Sequence, residues 1–262
     1  MPELPEVITV TLDLKKEING MTLHDINITS SYRKLQITNE SINQKVTNVF
    51  NIGKQIIIEF ENDSYISVHL GMTGQLLLNK TDKYEKAALY FSNNKKIYFS
   101  DIRKFGHLKN ISQEALNKYK SSLGANILET FDEQKLIKRL QKRNIPIKNA
   151  LLDQKLVSGA GNIYATDSLF LSKINPNKLA SEIKEEQYKT LFKNLQLLLN
   201  EGIKHRGSSM NRYLDLYGEK GSHQEHFRVY KKRNQLCPEC KSPLTFEKLN
   251  GRGSYYCPTC QQ

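Results

Sequence analysis

The chain has 262 residues, room for one large domain or two ordinary ones with a buried core, and its 39 lysines and arginines against 27 acidic residues leave a formal charge of +12. A surplus of that size concerns partners rather than fold and puts nucleic acid first, because neutralised phosphates release counterions; the other reading is a generic basic protein. No stretch approaches the roughly 18–20 apolar residues of a membrane span, and the N-terminus lacks the basic region and apolar run of a secretory signal, so a cytosolic protein without a membrane partner is expected.

Residues 1–20 begin Met-Pro-Glu-Leu-Pro-Glu and set Leu4, Val7, Leu14 and Ile18 on one helical face that ends at Gly20. The β-branched run at 7–11 counts against that helix. From about 22 to 110 the texture changes to short alternating or apolar runs, at 46–52, 55–60, 65–70, 75–78, 87–91 and 96–100. Turn signals at 51–53, 61–64 and 92–94 separate them, so a β-sandwich or barrel is predicted. Between 121 and 130 the strand pattern stops. Leu136, Ile137 and Leu140 then set a helical period, with a restart at Pro146, a third helix from Asn162 through Phe170 to Pro176, and a fourth over 183–203. A polar, glycine-containing stretch at 207–221 is too long for a simple connection and reads as a mobile or functional loop. The last 40 residues form a separate small unit that holds all four cysteines.

Those cysteines carry the strongest local signal. Cys237-Pro-Glu-Cys240 and Cys257-Pro-Thr-Cys260 are two Cys-x-x-Cys knuckles separated by sixteen residues, the spacing of a tetrahedral four-thiolate zinc site. Redox activity is the alternative, but nothing thioredoxin-like surrounds either pair. Four sulfurs leave no open coordination position, so one structural zinc ion is expected. Between the knuckles, Asn250-Gly251-Arg252-Gly253 places an arginine at a turn, either as a fork for phosphate oxygens or as an ordinary exposed residue. Arg228, Lys231, Lys232 and Arg233 add a basic face upstream.

Three further stretches leave two readings each. Gly159-Ala-Gly161-Asn162 enters a helix, where backbone amides attract phosphate, although such a pair of glycines is often only a tight turn. No strand precedes it, which rules out a dinucleotide fingerprint. His69-Leu-Gly-Met72-Thr-Gly74 and Asp101-Ile-Arg103-Lys-Phe105-Gly106 put Met72 at a turn and Phe105 among charges. Both are core residues or apolar wedges of the kind that replace lost base stacking.

Taken in order along the whole chain, these pieces resemble the formamidopyrimidine-DNA glycosylases, in the wider group that includes endonuclease VIII. The resemblance rests on the Pro-Glu-Leu-Pro-Glu start, Gly53-Lys54, the Met72 turn, Asp-x-Arg103-x-Phe105-Gly, Asp153-Gln-Lys155-Leu-Val, Gly-x-Gly161-Asn162-Ile-Tyr, Gly207-Ser-Ser and the cysteine hairpin with Arg252. It implies an α+β multidomain protein: an N-terminal helix on an antiparallel β-sandwich (1–125), a helix–two-turn–helix DNA-binding domain with a lid loop (126–225), and a C-terminal zinc-finger β-hairpin (226–262). Lys54, Asn162 and Arg252 match positions that grip phosphates flanking a lesion. Met72, Arg103 and Phe105 match the residues that fill the gap of a flipped nucleotide, Arg103 facing the orphaned cytosine. Lys155 matches a position associated with lesion processing. The partner implied is damaged double-stranded DNA, bound by a monomer in a bacterial cytoplasm, associated with the nucleoid.

The resemblance also gives the second residue a function. With Met1 removed, as expected before a small second residue, Pro2 presents a secondary amine. An α-amino group has a pKa of roughly 8 against about 10.4 for lysine, so about a tenth is neutral at pH 7. Glu3 is either the general acid that protonates the sugar ring oxygen or an acidic first-turn residue favourable to the helix dipole. Glu6 either shuttles protons or ties the helix to the second domain. The reading is a glycosylase for oxidised purines with lyase activity at abasic sites; the alternatives are an enzyme of the endonuclease VIII type and a catalytically idle zinc-finger DNA-binding protein.

Overall fold

The computed structural model describes residues 2–29, 32–210 and 212–262; Met1, on which the proposed processing bears, lies outside them. The chain forms two compact units. One holds the residues up to 121 together with 202–224, the other 122–201 together with 225–262.

The first unit begins with helix α1 (Leu4–Ile18). Its inner stripe of Leu4, Val7, Val10, Leu14 and Ile18 is fully buried or nearly so, which overrides the weak helix propensity of the β-branched run. Thr9 and Thr11 fit because their hydroxyls donate back to the Pro5 and Val7 carbonyls at 2.9 and 2.7 Å. The strands follow: β1 (Thr22–Ile28), β2 (Leu35–Gln36), β3 (Gln44–Ile52), β4 (Gln55–Phe60), β5 (Tyr65–His69), β6 (Gly74–Leu78), β7 (Glu85–Phe91), β8 (Lys96–Asp101) and β9 (His107–Ile111). They hydrogen-bond in the order β2-β9-β5-β4-β3-β1-β7-β8-β6, antiparallel throughout except for the short β2–β9 pair. β1 and β3 share only the Thr22–Lys45 and Leu23–Gln44 pairs, and there one half of the sheet turns onto the other. Val49, Ile56, Ile58 and Val68 from one half meet Leu76, Leu89, Ile97 and Phe99 from the other, with α1 closing the same core. This is the expected helix on a β-sandwich. Helix α2 (Gln113–Ser122) was not expected, and it buries Leu116 alone, against Ile57 and Tyr65. One buried apolar residue in a short polar segment is a weak signal.

In the second unit, helices α3 (Glu133–Gln141), α4 (Ile147–Leu152), α5 (Asn162–Leu171) and α6 (Glu185–Lys204) match the four predicted helices. Helix α5 stops five residues short of Pro176, because Lys173 turns the chain left-handed at φ 58° after the Ser172 cap. Two-residue strands β10 (Ala125–Asn126) and β11 (Val157–Ser158) pair in parallel. The unit ends in a hairpin of β12 (Thr245–Leu249) and β13 (Arg252–Tyr256). Among the described residues no helix is long and apolar enough to cross a membrane.

The core assignment makes a stability prediction. Leu14→Ala, at a fully buried site, should cost about 2–5 kcal/mol in urea unfolding. Leu12→Ala on the outer face, 55% exposed, should stay within about 0.5 kcal/mol of the parent.

Candidate active site

In the first unit the start of α1 is held from two sides by one carboxylate. Pro2, Glu3 and Glu6 are all buried. Glu6 Oε2 accepts the Glu3 amide at 2.7 Å, and its Oε1 accepts the Ser208 amide at 2.8 Å. The Glu6 carbonyl accepts the Tyr213 hydroxyl at 3.4 Å. Gly207 allows this approach: at φ +80°, a Cβ there would lie 2.7 Å from Glu6 Cγ. The same acidic residue therefore fixes the backbone beside Pro2 and the base of the 207–221 loop.

That loop is closed by polar bonds rather than left open. Arg206 donates from Nε and Nη2 to Asp215 Oδ2 at 2.9 and 2.6 Å, and from Nη2 to Asp13 Oδ2 on α1 at 2.5 Å. Burial pushes the Asp13 carboxyl above its ordinary pKa, with Arg206 pulling the other way. Asp215 Oδ1 accepts the amides of Tyr217 and Glu219 at 3.0 and 2.8 Å. Arg212 reaches Asp82 at 3.1 Å and lies over the Tyr84 ring, and its carbonyl accepts the Gln75 side-chain amide.

Lys54 follows Gly53 at the β3–β4 turn and is buried. Its charge and that of Lys34 act on His69, whose ring is pushed down to about 4, chiefly by burial. His69 stacks on His107 with centroids 5.6 Å apart, and burial with the His69 charge pushes His107 down to about 3. Because His69 Nδ1 accepts the Gly71 amide at 3.0 Å, the neutral ring carries its proton on Nε2.

Met72 and Phe105 are 42% and 45% exposed, so neither is the core residue that local statistics favour. They are brought together with Arg103: its Nη1 donates to Met72 Sδ at 3.3 Å, and its guanidinium lies 4.6 Å from the Phe105 ring centroid. Lys34 stands over the same ring at 5.7 Å and donates to the Phe105 carbonyl at 3.0 Å. An apolar pair with a cation between its members thus projects into solvent on two adjacent loops.

In the second unit, Asn162 opens α5 and Arg252 opens β13, exposed. Asn162 Nδ2 donates to the Gly253 carbonyl at 3.0 Å, so its side-chain amide steadies the hairpin turn. Lys148, which sequence reasoning missed, is 1% exposed and donates to the same carbonyl and to Ser254 Oγ, both at 2.8 Å. Beside Arg252 lies a cavity of about 300 Å³ lined by Asn149, Leu152, Asp153 and Asn250. Lys155 has an exposed side chain, and its backbone is fixed by Asp153 and Arg139. Asp167 was also missed. Buried on α5, it accepts the backbone amides of Arg228, Val229 and Tyr230 at 2.9–3.0 Å and so anchors the approach to the hairpin.

The four cysteine sulfurs lie within 4.8 Å of one another, with Cys237–Cys260 at 3.9 Å and Cys240–Cys257 at 3.4 Å. A tetrahedral ion with bonds near 2.3 Å sets its sulfurs about 3.8 Å apart, so the set fits zinc. Cys237 and Cys257 pack with Phe170, Val229 and Leu244, which makes the site part of a small core. It holds one structural zinc ion.

Three family models match the chain: the formamidopyrimidine-DNA glycosylase N-terminal domain over residues 1–108, the formamidopyrimidine-DNA glycosylase H2TH domain over 123–213, and the zinc finger found in FPG and IleRS over 234–262. A formamidopyrimidine-DNA glycosylase of Pelotomaculum thermopropionicum is 34% identical, covering 100% of this chain and 99% of its own. One of Chloroflexus aurantiacus is 32% identical, covering 100% and 98%. Among solved structures, a Lactococcus lactis FPG mutant in complex with Fapy-dG containing DNA matches at a TM-score of 0.92 and 32% identity over the whole of both chains. The MutM (FPG) protein of Thermus thermophilus matches at 0.92 and 30%, covering 99% of this chain and 98% of that one.

The geometry can be checked at two points. Both histidines have folded pKa values below the ordinary 6.5, so the unfolded chain takes up protons first as pH falls. Their contribution to stability is therefore whole above about 6.5 and is lost as pH drops toward about 4 and 3. Melting temperature should fall over that window, and less steeply in His107→Leu. Lys148→Met keeps the buried stem but removes the donors to Gly253 and Ser254. It should weaken lesion-DNA binding about tenfold in a fluorescence titration, the scale of one charged hydrogen bond, with zinc content unchanged.

Proposed function

The chain belongs to the formamidopyrimidine-DNA glycosylase family and is a base-excision DNA glycosylase with abasic-site lyase activity, and we propose that Pro2 is its nucleophile and oxidised purines its substrates. The observation that carries this reading is the paired hold of Glu6 on the Glu3 amide and the Ser208 amide, which fixes the chain beside Pro2.

With Met1 removed, the Pro2 nitrogen attacks C1′ of the damaged nucleoside. Glu3 protonates the ring oxygen, the sugar opens, and the base leaves with the electrons of the glycosidic bond, so that an iminium remains. The iminium draws electrons from C2′, whose proton is lost as the 3′-phosphate departs; a second elimination releases the 5′-phosphate. Lys54, Asn162 and Arg252 are assigned to phosphates flanking the lesion, as point charge, helix-start amides and guanidinium fork. Met72, Arg103 and Phe105 are assigned to the gap left by the extruded nucleotide; their exposure and mutual contact support it. Glu6 is assigned to positioning, and Lys155 to lesion processing. The zinc hairpin presents Arg252. The protein acts as a monomer on the DNA of the bacterial cytoplasm.

Borohydride should trap a covalent complex between the Met1-processed protein and an 8-oxoguanine:cytosine duplex, visible as a shifted band with incision products beside it. Glu3→Gln should slow base release by about 10²–10⁴, the usual weight of a general acid. No trapping by the processed form, or trapping by a form that retains Met1, removes Pro2 from the role. Faster excision of thymine glycol than of 8-oxoguanine overturns the substrate class.

A further inference from the structure

Two loops carry the exposed trio, and one buried carboxylate holds both. Asp101, the last residue of β8, is fully buried. Its Oδ1 accepts the Thr73 hydroxyl at 2.5 Å and the Arg103 amide at 3.2 Å, and its Oδ2 accepts the Gly106 amide at 2.8 Å. Thr73 follows Met72, while Arg103 and Gly106 bracket Phe105. The Thr73 hydroxyl in turn accepts the Arg103 amide at 3.1 Å, which closes a ring of bonds across the two loops.

No slack is left between the backbones. Gly71 has φ +59°, and a Cβ there would stand 2.5 Å from the Gly106 nitrogen and 2.7 Å from the Phe105 carbonyl carbon. A Cβ on Gly106 would stand 2.6 Å from the His69 carbonyl oxygen. On the outer side the Tyr32 hydroxyl donates to the Gly106 carbonyl at 3.3 Å. Neither loop can shift alone without breaking bonds to the shared carboxylate.

We propose that Asp101 is the positioning residue for base extrusion: it locks residues 71–74 and 101–106 into a single rigid wedge, so that Met72, Arg103 and Phe105 enter the duplex together. This rests on the assignment of that trio to the gap left by the flipped nucleotide. Preorganisation matters because filling the gap must offset the lost stacking at the moment the base leaves. A trio that had to order first would add that cost to extrusion. In Asp101→Asn one acceptor becomes a donor facing an N–H or O–H donor, which loosens the wedge while the side-chain volume stays the same.

The test uses two substrates for each variant: an 8-oxoguanine:cytosine duplex, which must be opened, and a single-stranded oligonucleotide with an abasic site, which has no stack to open. In Asp101→Asn the ratio of duplex excision to single-strand cleavage should fall about tenfold, in keeping with the sensitivity of catalysis to small misplacements. Thr73→Val removes one donor to the carboxylate and the acceptor of the Arg103 amide and leaves the carboxylate in place, so it reads the same effect if Asp101→Asn does not fold; its ratio should also fall about tenfold, the scale of one hydrogen bond to a charged group. With 2-aminopurine beside the lesion, the fluorescence rise on mixing should slow in step with the ratio. An unchanged ratio in the folded variants, whether both activities fall together or neither falls, overturns the proposal. Absence of duplex excision by the parent protein overturns the functional reading, and this proposal with it.

Discussion

The buried carboxylate of Glu6 is the constraint on which the reactive end of the first unit depends. A carboxylate taken out of water must be met by donors, and here two of them are backbone amides, those of Glu3 and Ser208. Satisfying that single group ties the first turn of α1 to a segment 202 residues later in the chain. The helix start and the loop base therefore cannot be repositioned independently. Tyr213, buried against the Glu6 carbonyl with its phenol pushed far above the ordinary pKa by burial, adds an apolar cover to the same junction.

The same device recurs through both units. Asp101 gathers Thr73, Arg103 and Gly106, Asp167 gathers three successive amides, and Lys148 holds the carbonyl beside Arg252. In each case a buried charged side chain meets backbone groups, while the residues assigned to DNA stand exposed next door: Met72, Phe105 and Arg252. The division has a physical basis. An exposed side chain cannot fix its own position, because solvent competes for its bonds and its rotamers are free. A buried charge with satisfied partners is costly to move, since any displacement strands it without them.

The fold and the four-cysteine site were legible in the sequence because they rest on signals with a period or a fixed spacing. The stripe of Leu4, Val7, Leu14 and Ile18, the strand runs and the two cysteine knuckles are of that kind. Helix α2 was not, because it is short and polar and buries Leu116 alone. Lys148, Asp167 and the bonds of Asp101 were invisible for a different reason. They act on backbone carbonyls and amides, in the case of Lys148 105 residues away, and a sequence does not record which main-chain group a buried side chain will find. Met72 and Phe105 sat between two readings, and exposure removes the core one: an apolar side chain left in water gains no burial from its own chain.

The stretch after Gly207 reads from its length and polarity as a mobile or functional loop, and its described residues are held by polar bonds and by buried Tyr213 and Leu216. Arg206 and Asp215 pin one end to Asp13 on α1. Ser208 pairs with Ser222 across the base, the Ser209 amide donates to Gln224 Oε1, and the Gly221 amide donates to the Ser209 hydroxyl. Leu216 is buried in the sandwich core and its carbonyl accepts the Leu78 amide. With its base bonded and two side chains, Tyr213 and Leu216, in the core, the segment belongs with the sandwich although α6 precedes it in the chain.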